Sequence, residues 1–299
     1  MASTLGEALR LGWTGLWRQA WLVPVGLLTT LLRRALGLPA LAVALLLMLR
    51  GAGRASQLAP YSSEAPLLGA AWVAAQPRVV ALVLGLSLCA ALLAWLLRLL
   101  MVAGAMPTLA GAMGPPGDRQ PRFAAGVTWG LPRLLPTAGL GLALEWTGQL
   151  VLAGTSFAAI RVSQVAAGSG RVALAGAVAA ALVVALLVAL LTSAVADAAL
   201  VRTAVRGDGP VEAMLEASSR VLARPAPYLL AVLGFGALSL MTGAVIQSVG
   251  ALATGFATRA PALVTLGPVL MLAAATATVA AALELWWWAS LTVLVAREG

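Results

Sequence analysis

Apolar residues in this chain come in long unbroken blocks, with little of the two-residue alternation that marks strands. A helix crossing a hydrocarbon core of about 30 Å needs roughly 20 apolar residues. Five stretches meet that length: Val79–Met106, Leu134–Ala158, Val172–Val201, Ala226–Ala257 and Leu263–Ala296. Some run longer, which predicts tilt or extension past the membrane. A sixth block, Ala20–Leu49, is interrupted by Arg33 and Arg34, and neither half alone can span. It reads as one helix with two buried or snorkelling arginines; a re-entrant hairpin at Gly37 and Pro39 is the alternative. The predicted class is all-α: a polytopic integral membrane bundle of about six transmembrane helices, one domain over residues 1–299.

Between the blocks lie short segments with a different pattern. Thr4-Leu5-Gly6-Glu7 fits a capping box. After it Leu5, Ala8, Leu9, Gly12, Trp13, Leu16 and Trp17 form one apolar face ending at Arg18. Phe123, Val127, Trp129 and Leu131 do the same before Arg133. After Asp208 and Pro210, the residues Val211, Met214, Leu215, Ser218 and Leu222 face one way. Glu212, Glu216, Arg220 and Arg224 face the other, at the i,i+4 spacing of an exposed helix side. Each segment predicts an amphipathic helix in the membrane surface plane that feeds a transmembrane hairpin. This pattern divides the chain into three hairpin units, 1–118, 119–208 and 209–299. The first unit has an extra loop, Gly51 to Arg78, whose piece Pro66–Ala75 reads as a further interfacial helix with Trp72 at headgroup level. Gly168-Ser169-Gly170 and Gly207-Asp208-Gly209 read as turns. Gly114-Pro115-Pro116-Gly117 reads as a linker, since it lacks the Lys-Ser/Thr ending of a phosphate loop.

Composition narrows the chemistry. Of 299 residues 62% are hydrophobic and 10% charged, against about 25% charged in soluble domains. The 19 basic residues are all arginine; Lys, His and Asn are absent, and Ile occurs twice. Those four types have AT-rich codons, so the skew points to a GC-rich, bacterial genome. The net charge of +9 does not point to nucleic acid, because the arginines stand singly or in pairs beside apolar blocks. That placement fits lipid headgroups. Cys89 is the only cysteine, so an intrachain disulfide cannot form. With no His, common zinc sites and Cys–His or Ser–His catalysis are excluded, and no cofactor motif is present. The N-terminal block is expected to be retained, because Arg33-Arg34 follow it where a small-residue cleavage site belongs.

The unusual chemistry is ionisable groups inside apolar blocks: Arg33, Arg34, Arg98, Glu145 and Glu284, with Asp197 nearer a block end. A mid-membrane charge costs about 2.5–3.5 kcal/mol on insertion scales, so it turns inward and finds a partner. Small residues share these faces: Ala138, Gly141 and Gly148 near Glu145; Ala277, Ala280 and Ala281 near Glu284; Ser87, Ala91 and Ala94 near Arg98. They permit close helix approach. Two readings remain open: a proton, ion or substrate path, and an ion-pair clasp that fixes helix packing, with the acids meeting Arg33 or Arg34 at similar depth. Trp286-Trp287-Trp288 cannot share one helix face at about 100° per residue; bulky packing is the expected role.

The segments Glu7-Ala8 through Arg18 and Glu212-Ala213 through Arg224, each leading into a span, resemble a loose group of bacterial six-helix membrane proteins that includes the glycerophosphodiester phosphodiesterase membrane-domain family. The second unit departs from the pattern, with Phe123 in place of the acidic residue. The resemblance implies a membrane domain without phosphodiesterase activity and carries over no site residue. The expected function is non-enzymatic: a scaffold, assembly or regulatory component of the bacterial inner membrane, with the lipid bilayer and a membrane protein as partners. The alternative is a small transporter or channel using the buried charges. Both termini are expected on the cytoplasmic side.

Overall fold

A computed structural model describes residues 5–58, 75–113, 122–165, 171–257 and 262–296. These residues are almost wholly helical. The helices are α1 (Leu5–Arg18), α2 (Leu22–Leu58), α3 (Pro77–Met113), α4 (Phe123–Val165), α5 (Arg171–Arg206), α6 (Pro210–Ala223), α7 (Pro225–Ala257) and α8 (Ala262–Ala296). No strand occurs among the described residues. The chain forms two compact units: Met1–Leu27 with Leu99–Gly299, and Leu28–Arg98. Thr4, residues 66–74 of the segment Pro66–Ala75, the 114–117 linker and the 168–170 turn lie outside the described residues.

Five segments are long and apolar enough to cross a membrane: Leu22–Gly51, Pro77–Met113, Leu174–Arg206, Pro225–Val245 and Ala274–Val295. The sixth predicted span, Leu134–Ala158, differs. It lies in the 43-residue helix α4, which is long enough but less apolar, because Thr137, Glu145, Thr147 and Gln149 interrupt its leucines. α2 is continuous through Arg33, Arg34 and Pro39, the single-helix alternative of the two weighed for this block. The second amphipathic segment, 123–133, is not a separate element. It forms the first turns of α4, which continues through Pro132 and Pro136. The first and third segments are separate short helices, α1 and α6.

Large apolar side chains cover the outside of the helices: Leu28, Leu84, Leu150, Val184, Leu240 and Met271 are all exposed. Contiguous apolar surface on this scale needs a cover. The hydroxyls among them are bonded locally. Thr147, Thr155, Thr242, Ser248 and Thr278 each donate to the carbonyl one turn earlier, at 2.7–2.9 Å. Each of these hydroxyls is thus satisfied within its own helix.

The larger unit closes around small residues. α4 and α5 run antiparallel, with Gly141 against Ala196, Gly148 against Thr192 and Ala189, and Thr137 beside Thr203. Neither glycine position has room for a side chain larger than its hydrogen without a shift of α5. This is the small-residue face marked in the sequence around Glu145. At the other side of the unit Leu16, Leu22, Ala105, Leu109, Leu285 and Ala289 form a core that joins α1, the start of α2, α3 and α8.

α6 starts at Pro210 in its first turn, after Gly209 at the N-cap. Gly207 turns the chain there with φ of 76°, a left-handed conformation that favours glycine. At about 100° per residue the helix shows three sectors. Ala213, Ala217 and Val221 are buried. Val211, Leu215 and Leu222 are exposed, Leu215 at 68%. Glu212, Glu216, Ser219 and Arg220 occupy the third sector. The sequence showed two of these faces and missed the packed one. α1 is built similarly: Ala8, Gly12, Gly15 and Leu16 are buried, while Trp13 and Trp17 are exposed.

Candidate functional site

The polar groups that the structure brings together lie at one end of the larger unit, where α5 and α8 finish and α1 and α6 dock. Asp197, 5% exposed, lies in the last third of α5 and accepts a hydrogen bond from Trp287 Nε1 at 3.0 Å. Phe235 lies against both Trp286 and Trp287, with ring centroids 5.0 and 5.4 Å away. Trp286 in turn meets Trp13 at 5.1 Å and donates to the Leu9 carbonyl at 2.9 Å. The three tryptophans therefore point inward or to neighbouring helices, with Trp287 and Trp288 buried, and tie α1, α5, α7 and α8 together.

One turn and a half beyond Asp197 is Arg202, 5% exposed. Its Nη2 lies 2.7 Å from Asp208 Oδ2. Its Nη1 lies 3.7 Å from Glu216 Oε1, the oxygen that Arg220 also approaches at 3.1 Å. A buried arginine of this kind needs its carboxylates close, because an isolated buried charge is costly. The cluster clamps the α5–α6 turn and the first turns of α6 onto α5. Arg206 Nη2 donates to the Val295 carbonyl at 3.1 Å, and Arg18 Nη1 to the Ala112 carbonyl at 3.0 Å. Both acceptors lie in the last turns of helices whose carbonyls lack intrahelical donors. Thr137 and Thr203 share a hydrogen bond at 3.0 Å in the buried α4–α5 seam.

The sequence-marked charges are distributed between the two units. Glu145 and Glu284 are half-buried in the larger unit, beside Gly148 and Ala281 respectively. Arg33, Arg34 and Arg98 belong to the smaller unit; Arg33 and Arg98 are half-buried and Arg34 is exposed. Arg33 Nη2 donates to Thr30 Oγ1 at 3.3 Å. Arg33 also lines a cavity of about 430 Å³ between α2 and α3, together with Ser87, Ala91 and Ala94. Those three are the small residues marked beside Arg98, and they face this cavity. Cys89 is exposed on α3.

Among the described residues no three Asp, Glu or Cys side chains gather at one point. The residues that sequence reading missed are Arg202, Asp208 and Trp287. Asp208 reads from sequence only as part of a turn that leads into a helix, and the Asp197–Trp287 pair joins positions 90 residues apart. No known protein family matches this chain, and no curated protein or solved structure matches it either.

Proposed function

We propose that the chain is a six-span protein of the bacterial inner membrane, with α4 as the sixth span and both termini cytoplasmic, acting without catalysis as a scaffold, assembly or regulatory component. The observation that carries this reading is what the polar groups at the arginine-rich end do. Asp197, Thr137, Arg202, Arg206, Arg18 and Trp286 each bond to a different helix or to the turn that leads into one. Such groups fix where α1 and α6 sit and hold a defined surface toward partners. The length of α4, about 65 Å at 1.5 Å per residue, and its close seam with α5 support a sixth crossing. Arg10, Arg18, Arg122, Arg133, Arg206 and Arg224, all exposed at this end, support a cytoplasmic assignment by the positive-inside tendency.

The transport reading draws support from the cavity at Arg33. Glu145→Gln and Glu284→Gln, made singly in protein purified in a nonionic detergent and in proteoliposomes, separate the two. A scaffold loses folded yield with each change and passes no more solute or protons than empty vesicles. A transporter keeps its melting temperature and loses flux, a result that would replace the scaffold reading.

A further inference from the structure

The arginines at this end of the larger unit fall into two corners that differ in how their charge is met. At the α6 corner carboxylates meet it: Arg202 faces Asp208, and Arg220 faces Glu216. At the α1 corner Arg10, Arg18 and Arg122 are exposed. Among the described residues no carboxylate forms an ion pair with any of the three. Arg18 donates to the Ala112 carbonyl, which uses one of the five N–H groups of a guanidinium. A carbonyl carries no net charge, so this bond fixes the position of Arg18 and leaves its charge unbalanced.

α1 turns these groups outward. At about 100° per residue Arg10, Trp13, Thr14, Trp17 and Arg18 share a sector of about 140°. The opposite side holds the buried Ala8, Gly12, Gly15 and Leu16, with Gly12 against Ser290 and Gly15 against Met113. Docking of that side therefore fixes what the outward sector shows. Trp21, exposed just beyond the helix end, meets Phe123 with ring centroids 5.8 Å apart. The contact brings the start of α4, with Arg122 just before it, to the same corner.

The chain also sets the depth of this corner. The apolar segment of α2 begins at Leu22, and that of α3 ends at Met113, the neighbour of Ala112. Both hydrophobic segments stop where Arg18 bonds, which is the level of lipid headgroups and the level that tryptophan favours. Glu7 is the one acid on α1, so three arginines against one glutamate leave two positive charges. We propose that this corner recruits anionic phospholipid from the surrounding leaflet, with phosphates at Arg10, Arg18 and Arg122 and the glycerol region against Trp17 and Trp21. The assignment rests on the membrane-spanning reading and holds for a scaffold and a transporter alike.

The test uses the full chain with Cys89→Ala and Thr14→Cys, carrying a bimane fluorophore, in phosphatidylcholine liposomes. Thr14 lies between Arg10 and Arg18 in the outward sector. A small fraction of doxyl-labelled phosphatidylglycerol or doxyl-labelled phosphatidylcholine is the quencher. At about 1 kcal/mol per uncompensated arginine, phosphatidylglycerol should associate at least about tenfold more strongly than phosphatidylcholine. Added salt should shrink the preference. Arg10→Gln with Arg122→Gln should bring it to within about twofold, because Arg18 and Glu7 then balance. The same fluorophore at Leu215→Cys, in the corner where Asp208, Glu212 and Glu216 stand among the arginines, should show little preference. Equal quenching by the two lipids at position 14, a preference that survives the double substitution, or an equal preference at position 215 would each overturn the site. Disulfide dimers through the cysteine at position 14 would assign the corner to a second copy instead. Flotation of the liposomes reports insertion separately: a chain that fails to insert overturns the membrane reading beneath the site, and an inserted chain without lipid preference removes the site alone.

Discussion

Trp287 donates its indole N–H to the carboxylate of Asp197 across 3.0 Å, inside a bundle where both side chains are buried. The bond joins the last third of α5 to that of α8 and anchors the aromatic cluster that continues through Phe235 and Trp286 to Trp13. A buried acceptor that loses a donor keeps its desolvation cost, about 1–3 kcal/mol.

Trp287→Phe and Asp197→Leu are therefore each expected to lower stability in detergent by about 1–3 kcal/mol, and the double variant by less than the sum of the two. Thermal unfolding of the four proteins measures the coupling. Additive losses would mean that the pair does not act as a unit.

The clamp on α6 gives a graded expectation. Arg202→Gln leaves Asp208 facing a buried site, and breaking such a pair costs about 3–5 kcal/mol. Arg202→Gln with Asp208→Asn costs less than Arg202→Gln alone. Glu216→Gln acts mainly on its pair with Arg220, where the glutamate side chain is 43% exposed, so it costs under about 1 kcal/mol. Chemical denaturation in a nonionic detergent ranks the three; equal effects would contradict the clamp.

Gly12 tests how α1 docks. A Cβ there would sit 2.6 Å from Ser290 Oγ and 2.7 Å from the Ser290 backbone nitrogen. Backbone cannot yield as a side-chain tip can, so Gly12→Ala pushes α1 off α8 at a cost of about 1–3 kcal/mol. Trypsin cleavage at Arg10 and Arg18 should accelerate. Gly6, where a Cβ meets nothing within 4 Å, is the control: Gly6→Ala is neutral or stabilises by up to about 1 kcal/mol.

Topology follows from the arginine distribution. Reporter fusions near Asp208 and Pro116 are expected to read as cytoplasmic and a fusion near Ser62 as external. The inverse pattern would reverse the orientation proposed for α1 and α6.

The helical class and most of the long apolar helices were legible because twenty apolar residues in a row have few other uses. The α4 start was not: Arg133 looked like a helix end, yet Pro132 and Pro136 are accommodated inside one long helix. The docking faces of α1 and α6 were hard to read for a different reason. Ala213 and Ala217 carry little hydropathy, so a face defined by close approach leaves almost no trace in an apolar pattern. Arg202 looked like one more headgroup arginine, and its burial depends on Asp208 and Glu216 folding back over it. Asp197 stood out as a charge, but its partner lies 90 residues away, beyond any local spacing rule.

The central claim is that this is a membrane bundle on which α6 lies in the surface plane, with one face on protein, one on lipid and one on water. Spin labels at positions 212, 213 and 215, each introduced as a cysteine into a Cys89→Ala background and reconstituted in lipid, test it directly through collision with oxygen and with a water-soluble nickel chelate. The account predicts nickel access at 212, oxygen access at 215, and little of either at 213. Strong nickel access at 215, equal to that at 212, would contradict it.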